Sequence, residues 1–456
     1  MGTFMTKHVL IIVFLVLAAL PVLAQDDALD CNGSAETYYN IAEDYASKGQ
    51  FEQAIVNLTC AVTLDSAYIS AYIARANNYW TLGMYEEAFE DYTRVTELDD
   101  TNSSAYLGRG NVYYEKGSYE EALNEYNRAL KLDPNFDLAW YARGTTYYAM
   151  GANQQAIADF GGALALNPTY ASAYYWRARS YYTLEKYVEA LNDFTKAIEL
   201  DETYGYAYYG RGNVYYEKGS YEEAVAEYTK AIKYEPDDYL AYYWRGRAYL
   251  DLNKNALALE DFDRWLEFNP DDADGHHDRG IAHQRLDHYE EAMSDYNRAI
   301  ELGEDNQYIY GNRGSLYNRM GQNDLALVDL TRSLEIDPNY GRSYYHRALA
   351  FSDMGNFLAA IADYEKVIAL EPDYDLAYWG LGNTYTNLGN NARAEEYYRR
   401  YVELAGDTAD PRVVERLQSV ERENQAFRIA VIVGIGTGIL FLLRRFMSKF
   451  SNQRLI

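Results

Sequence analysis

From Ala35 to Thr408 the apolar and polar positions recur every 34 residues, without insertion or deletion, through eleven repeats. The twentieth place of each repeat is Ala54, Ala88, Ala122, Ala156, Ala190, Ala224, Ala258, Ala292, Ala326, Ala360 and Ala394. The eighth is always glycine or alanine, which two helices need if their backbones are to cross closely. Repeat three shows the local pattern. Tyr106, Gly110 and Tyr113 fall at helical spacing, Lys116-Gly117-Ser118 interrupts them, and Ala122, Tyr126 and Ala129 resume before Asp133-Pro134. Each repeat is therefore predicted to be two short helices joined by a tight turn. Eight repeats carry glycine at the break, where a helix end favours a residue without a Cβ penalty at positive φ. A period of this length marks supersecondary units that bury their apolar faces only by stacking on one another.

The order of these marks resembles the tetratricopeptide repeat. A large aromatic residue (Tyr106, Trp140, Tyr174, Tyr208) precedes the small eighth place, an aromatic eleventh place and the invariant alanine. Tyr126, Phe160, Phe194 and Tyr228, then Ala129, Ala163, Ala197 and Ala231, and finally proline complete the pattern. Leu58, His276 and Tyr401 depart from it in repeats one, eight and eleven. The resemblance implies an all-α fold, a right-handed α-solenoid of eleven helix-turn-helix repeats over residues 35–408. It implies protein or peptide partners, held in a concave groove lined by the first helices.

One departure runs through the array. Where the family usually has leucine, at the seventh place, repeats two to ten carry Arg75, Arg109, Arg143, Arg177, Arg211, Arg245, Arg279, Arg313 and Arg347. The same repeats carry an acid at the twenty-third place: Asp91, Glu125, Asp159, Asp193, Glu227, Asp261, Asp295, Asp329 and Asp363. Two antiparallel helices of equal rise put these places level. Because both residues are lost together in repeats one and eleven, the spacing predicts ion pairs inside each repeat.

The segments outside the array read as sorting and anchoring elements. Lys7 and His8 precede an apolar run from Val9 to Leu20 and small residues up to Ala24, the layout of a cleaved secretory signal peptide over 1–24. Residues 25–34 form an N-terminal cap segment, and 409–427, opening with Asp410-Pro411, a capping helix. Residues 428–446 are predicted to be a short transmembrane helix. The basic tail 447–456 then lies in the cytoplasm by the positive-inside rule. The array is accordingly expected outside the cytoplasm, at a bacterial cell envelope. Cys31 and Cys60 are the two cysteines; a bridge between them, stapling the N-terminal cap, and two free thiols are both compatible with their positions.

Composition narrows the ligand classes. A net charge of −28 disfavours nucleic acid, whose phosphates need a basic surface. No Gly-rich phosphate loop, HExxH or GxSxG string occurs, and the histidines lie in the leader or at packing positions, so neither catalysis nor a cofactor is expected. His277 with Asp274 is the one weak metal-ligand couple. In the resembling family the second, fifth, ninth, twelfth and thirteenth places face the groove. Here those places supply Asn77, Trp80, Asn111, Tyr114, Tyr141, Tyr148, Tyr175, Tyr182, Tyr209, Asn213, Tyr216 and Tyr243. Rings beside amides suit an extended peptide or a sugar chain. The sequence reads as a non-enzymatic scaffold tethered to a membrane, and a glycan-handling accessory of cell-wall or polysaccharide export is the alternative.

Overall fold

The structure is a computed structural model that describes residues 31–237 and 239–451, with the side chains of 427 and 433–451 outside what is described. The signal segment 1–24 and the tail from 452 lie outside the described residues. Among those described there is no strand, and helices follow one another in pairs from Ala35–Ser47 with Phe51–Leu64 to Asp375–Asn387 with Asn391–Ala405. The chain divides into two compact units, residues 1–214 and 215–456.

Close approach within each pair follows from the small residues. Every alanine of the twentieth place is fully buried. The large residue four places on, such as Tyr126, Phe160, Phe262, Tyr296 or Tyr398, is buried as well. It lies flat over the small eighth place of the facing helix. A Cβ added to Gly110 would stand 2.5 Å from the Tyr126 ring, and one added to Gly382 2.5 Å from the Tyr398 ring. The aromatic residue thus occupies the volume that the glycine leaves empty, as close packing demands.

The turn between the two helices is a left-handed stop. Gly117, at φ +74°, lets its own N–H reach Tyr114 O at 2.9 Å and the Ser118 N–H reach Tyr113 O at 2.9 Å, satisfying carbonyls at the helix end. Repeats five, seven and eight have no glycine there, yet Glu185, Asn253 and Asp287 take the same conformation, at φ 57°, 55° and 61°. Asparagine and aspartate visit this region readily, so it is at Glu185 that the repeat overrides a local preference. At the end of the second helix an aspartate caps the loop, as where Asp133 Oδ1 accepts from the Asn135 N–H at 2.9 Å.

Arginine and acid meet in eight repeats. In Arg75–Asp91, Arg109–Glu125, Arg143–Asp159, Arg177–Asp193, Arg245–Asp261, Arg279–Asp295, Arg313–Asp329 and Arg347–Asp363 the guanidinium donates through Nε and Nη2 to the carboxylate, at 2.6 to 3.0 Å. Arg211 and Glu227 belong to different compact units, and their pairing stays an expectation. Burial alone would pull the Arg143 pKa down, but the bond and charge of Asp159 outweigh it and hold the value above that of a free arginine.

The remaining edge of most of these guanidiniums reaches backwards. Arg75 Nη1 donates to Thr59, Arg143 to Asn127, Arg245 to Thr229, Arg279 to Asp263 and Arg313 to Asn297, each on the second helix of the preceding repeat. The pair therefore fixes two relations at once: helix to helix within a repeat, and repeat to repeat.

Both ends of the array are closed. Cys31 and Cys60 form a disulfide that ties the segment before the first helix to the end of the second. At the other end the helix Pro411–Ser451 buries Val413 and Val420 in a cluster with Leu381, Tyr398 and Tyr401. Asn424 Nδ2 donates to Asn391 O and Glu395 Oε2 at 3.0 and 2.7 Å. Among the described residues no helix is long and apolar enough to cross a membrane. The expected span 428–446 falls largely on residues whose side chains are outside the described set, and the transmembrane helix stays an expectation.

A non-glycine residue in the left-handed region costs about 1 kcal/mol, so Glu185→Gly raises the thermal midpoint of the purified chain while Gly117→Ala lowers it by a comparable free energy. Removing one partner of a buried pair costs about 3 to 5 kcal/mol, and Arg143 and Asp159 retain only 16% and 6% side-chain exposure. Asp159→Leu alone is thus strongly destabilising, whereas Asp159→Leu combined with Arg143→Met recovers most of the loss in denaturant titration.

Candidate functional site

The polar first-helix residues of repeats eight to eleven converge on a cleft of the C-terminal unit, about 630 Å³ in volume. Its walls are Ile281, Gln284, Arg285, Asn312, Ser315, Asn318, Arg319, Arg342, Tyr345, His346, Leu349, Asp353, Tyr374 and Leu376. Nearly all stand at the second, fifth, sixth, ninth, twelfth or thirteenth place of a repeat. A neighbouring cleft of about 350 Å³ shares Tyr345, Leu349, Asp353 and Leu376 with it and extends to Trp379 and Asn383.

Hydrogen bonds between successive first helices hold the walls in place. Gln284 Nε2 donates to Ser315 Oγ at 3.0 Å while its Oε1 accepts from the Tyr296 hydroxyl at 2.6 Å. Asn318 Nδ2 donates to His346 O at 2.7 Å, and Arg285 Nη1 to Leu250 O at 2.6 Å. Arg319 faces Asp287 at 3.7 Å, with both side chains exposed. Such a pair contributes little. Three guanidiniums and the carboxylate of Asp353 line the cleft, with Asp287 beside Arg319. Burial, with the charges of Arg342 and Arg319, pulls the His346 imidazole down to about 4, so it is neutral at pH 7.

The residues singled out from the sequence divide into three groups. Asn77 lines a cleft of about 470 Å³ with Tyr39, Glu43 and Thr81 in the N-terminal unit. Its Oδ1 already accepts from the Tyr92 hydroxyl at 2.6 Å, as Asn111 accepts from Tyr126 at 2.9 Å. Trp80 is exposed, and Tyr114 is half-buried against Tyr119. Tyr141 and Tyr175 pack on Tyr170 and Tyr204, the residues that close the loops leading into the next repeats, at 4.7 and 5.1 Å, and Tyr175 is buried. Tyr182, Tyr209 and Asn213 are half-buried.

The third group, Tyr148, Tyr216 and Tyr243, belongs to ring clusters around an arginine. Tyr148 packs on Trp176 at 5.1 Å, with Arg179 over both rings. Tyr216 and Tyr243 donate to Asp251 and Asp278 at 2.8 and 3.0 Å, beside Arg247. Burial raises the Asp278 carboxyl, which Arg247 and the Tyr243 hydroxyl counteract. Sequence reasoning missed Arg285, Arg319, Arg342 and His346. The signal was there: basic residues at groove places of an acidic chain.

His277 and Asp274 do not come together as ligands. His277 Nδ1 faces Glu304 Oε1 at 3.1 Å and its Nε2 faces the Asn312 amide at 2.9 Å. Among the described residues no group of three or more His, Cys, Asp or Glu stands arranged around a cation. His276 is bonded to Asp295 and to Pro270 O, at 3.1 and 3.0 Å.

His346 sets a pH window. A folded value lowered from about 6.5 to about 4 favours the neutral form, so the stability it contributes is complete above pH 6.5 and is lost as pH falls through 4. The shift corresponds to about 3 kcal/mol. His346→Gln is expected to flatten the decline in thermal midpoint between pH 6.5 and 4 without abolishing it, since carboxylates also titrate there.

Solved structures resemble segments of the chain. One is YrrB, a TPR protein with an unusual peptide-binding site: 29% identity, 40% of this chain and 95% of that one, TM-score 0.35. PilF of Pseudomonas aeruginosa shares 22% identity over 46% of this chain and 94% of its own, with a TM-score of 0.42. Yeast Tom70 shares 15% over 86% and 96%, with a TM-score of 0.38. No curated protein sequence matches the chain. Sequence profiles described as TPR repeat match residues 79–117, 110–151, 144–185 and 178–219. Those described as tetratricopeptide repeat match 209–273, 273–306, 308–340 and 345–411. Tandem helix pairs with a small residue crossed by a ring, and profile matches along most of the array, make this chain a member of the tetratricopeptide-repeat family.

Proposed function

We propose that the protein is a non-enzymatic scaffold that binds extended segments of partner proteins along its first-helix surface. The cleft of repeats eight to eleven carries this reading. Guanidiniums and amides answer backbone and side-chain acceptors, and Tyr345, Tyr374, Leu349 and Leu376 supply apolar area with little rotamer entropy to lose. On the second helices Leu358 and Val328 are also exposed, Val328 in a cleft of about 660 Å³ with Tyr310, Arg313, Arg332 and Glu335, where no side-chain amide takes part.

We further propose that the array is exported and held at the outer side of a membrane by residues 428–446. The apolar segments at both ends of the sequence support this. So does the Cys31–Cys60 disulfide, because such bonds persist in oxidising compartments.

A photo-crosslinking residue at Leu349, inside the cleft, is expected to capture partner polypeptides from native membranes, and one at Leu358, 77% exposed on a second helix, is not. Capture from Leu358 alone would overturn the proposal.

A further inference from the structure

The array builds one constellation twice, and only one copy is filled from within. In the C-terminal unit the Arg247 guanidinium lies 5.1 Å from the Trp244 ring centre and 6.0 Å from those of Tyr216 and Tyr243. Its charge is met by Asp278, 3.5 Å away, whose carboxylate also accepts from the Tyr243 hydroxyl at 3.0 Å. Asp251 accepts from Tyr216 on the other side, at 2.8 Å. In the N-terminal unit Arg179 lies 4.9 Å from the Trp176 ring centre, 5.1 Å from Tyr148 and 5.8 Å from Tyr175. The four residues stand 68 positions, two periods, before their counterparts.

The acids are not repeated. The place of Asp278 is taken by Gly210, and that of Asp251 by Thr183. Gly210 has no side chain to offer, and a Cβ there would stand 2.4 Å from the Phe194 ring. The Thr183 hydroxyl turns back to Arg179 O at 3.0 Å. Among the described residues no carboxylate lies within ion-pair distance of Arg179, although acids outnumber bases 69 to 41 in the chain. A guanidinium half-buried among rings and lacking a carboxylate retains most of its capacity for charge-assisted hydrogen bonds.

We propose that Arg179, with Tyr148, Tyr175 and Trp176, binds an aspartate or glutamate side chain of a partner segment, in the role that Asp278 plays beside Arg247. The rings already restrict the guanidinium, so little further rotamer freedom is lost when the carboxylate arrives. This assignment rests on the groove-binding reading above and adds the chemistry of one ligand side chain to it.

The test uses the full-length chain in detergent, with two fluorescein-labelled peptides of alternating alanine and either glutamate or glutamine. The glutamate peptide is expected to bind about 10-fold more tightly, the size of one charge-assisted hydrogen bond. Arg179→Gln should remove that preference and Arg179→Lys keep part of it, with the thermal midpoint unchanged in both. Trp176 fluorescence should respond to the glutamate peptide in the unaltered chain and in the Arg179→Lys variant, but not in Arg179→Gln. Equal binding of both peptides to the unaltered chain would overturn the carboxylate site and leave groove binding standing. Failure of both peptides to bind would remove both proposals. Persistence of the preference in Arg179→Gln, or displacement of the peptide by sodium acetate at the peptide's own concentration, would also overturn it, the latter by assigning the site to free small carboxylates.

Discussion

Most seventh-place guanidiniums work on more than one edge, and the packing of repeats within each compact unit depends on that division. Two N–H groups grip the acid of the same repeat, and in most repeats the third reaches the second helix of the repeat before. A planar fork bonded in this way tolerates little rotation, so it sets angles more surely than it adds stability, given the desolvation of both charges. Tyr72, Tyr106, Trp140, Tyr174, Tyr242 and Tyr344 stand beside these guanidiniums at 4.8 to 5.6 Å and exclude water from one side. The last repeat follows the same logic by exception. Leu381 replaces the arginine in repeat eleven, and there the neighbour is a single capping helix that brings Val413 and Val420 instead of a polar partner.

Packing inside the repeats determines what remains for a ligand. The invariant alanine and the ring over the small eighth place consume the apolar faces of both helices. What the first helices keep on their free side is a mixture of polar, charged, aromatic and aliphatic side chains. In repeats eight to eleven these side chains bond one another across repeats, as Gln284 does with Ser315, and so form walls whose positions are set before a partner arrives.

Helix boundaries, turn glycines and the arginine–acid spacing were legible in the sequence because each depends on a fixed offset within one repeat. Glu185 shows how far this goes: the fixed place in the repeat stops the helix at a residue that alone does not favour positive φ. The ninth-place asparagines were harder to read. Their position faces the groove, but the Tyr92 and Tyr126 hydroxyls reach across from the facing helix and take the amide oxygens. That contact depends on side-chain length in three dimensions, which spacing does not carry. Attention to tyrosine-rich repeats also drew the eye from Arg319 and Arg342, whose environment arises from three successive repeats together.

Charge explains why a chain so acidic can still hold selective anion sites. Its arginines differ in what they face. Eight of the seventh place are spent on acids of their own repeat, Arg247 is spent on Asp278, and others such as Arg94, Arg264 and Arg298 meet exposed acids. Arg179 and Arg342 have no carboxylate within ion-pair distance among the described residues, and Arg319 has only the exposed Asp287. The repulsion from a bulk net charge of −28 is largely screened beyond a Debye length of roughly 8 Å at physiological ionic strength, so only the charges near the contact bear on an approaching carboxylate. At contact, the unspent guanidinium and the rings around it decide the outcome. On the reading proposed for Arg179, an acidic surface that disfavours polyanions is compatible with a site for a single carboxylate at one repeat.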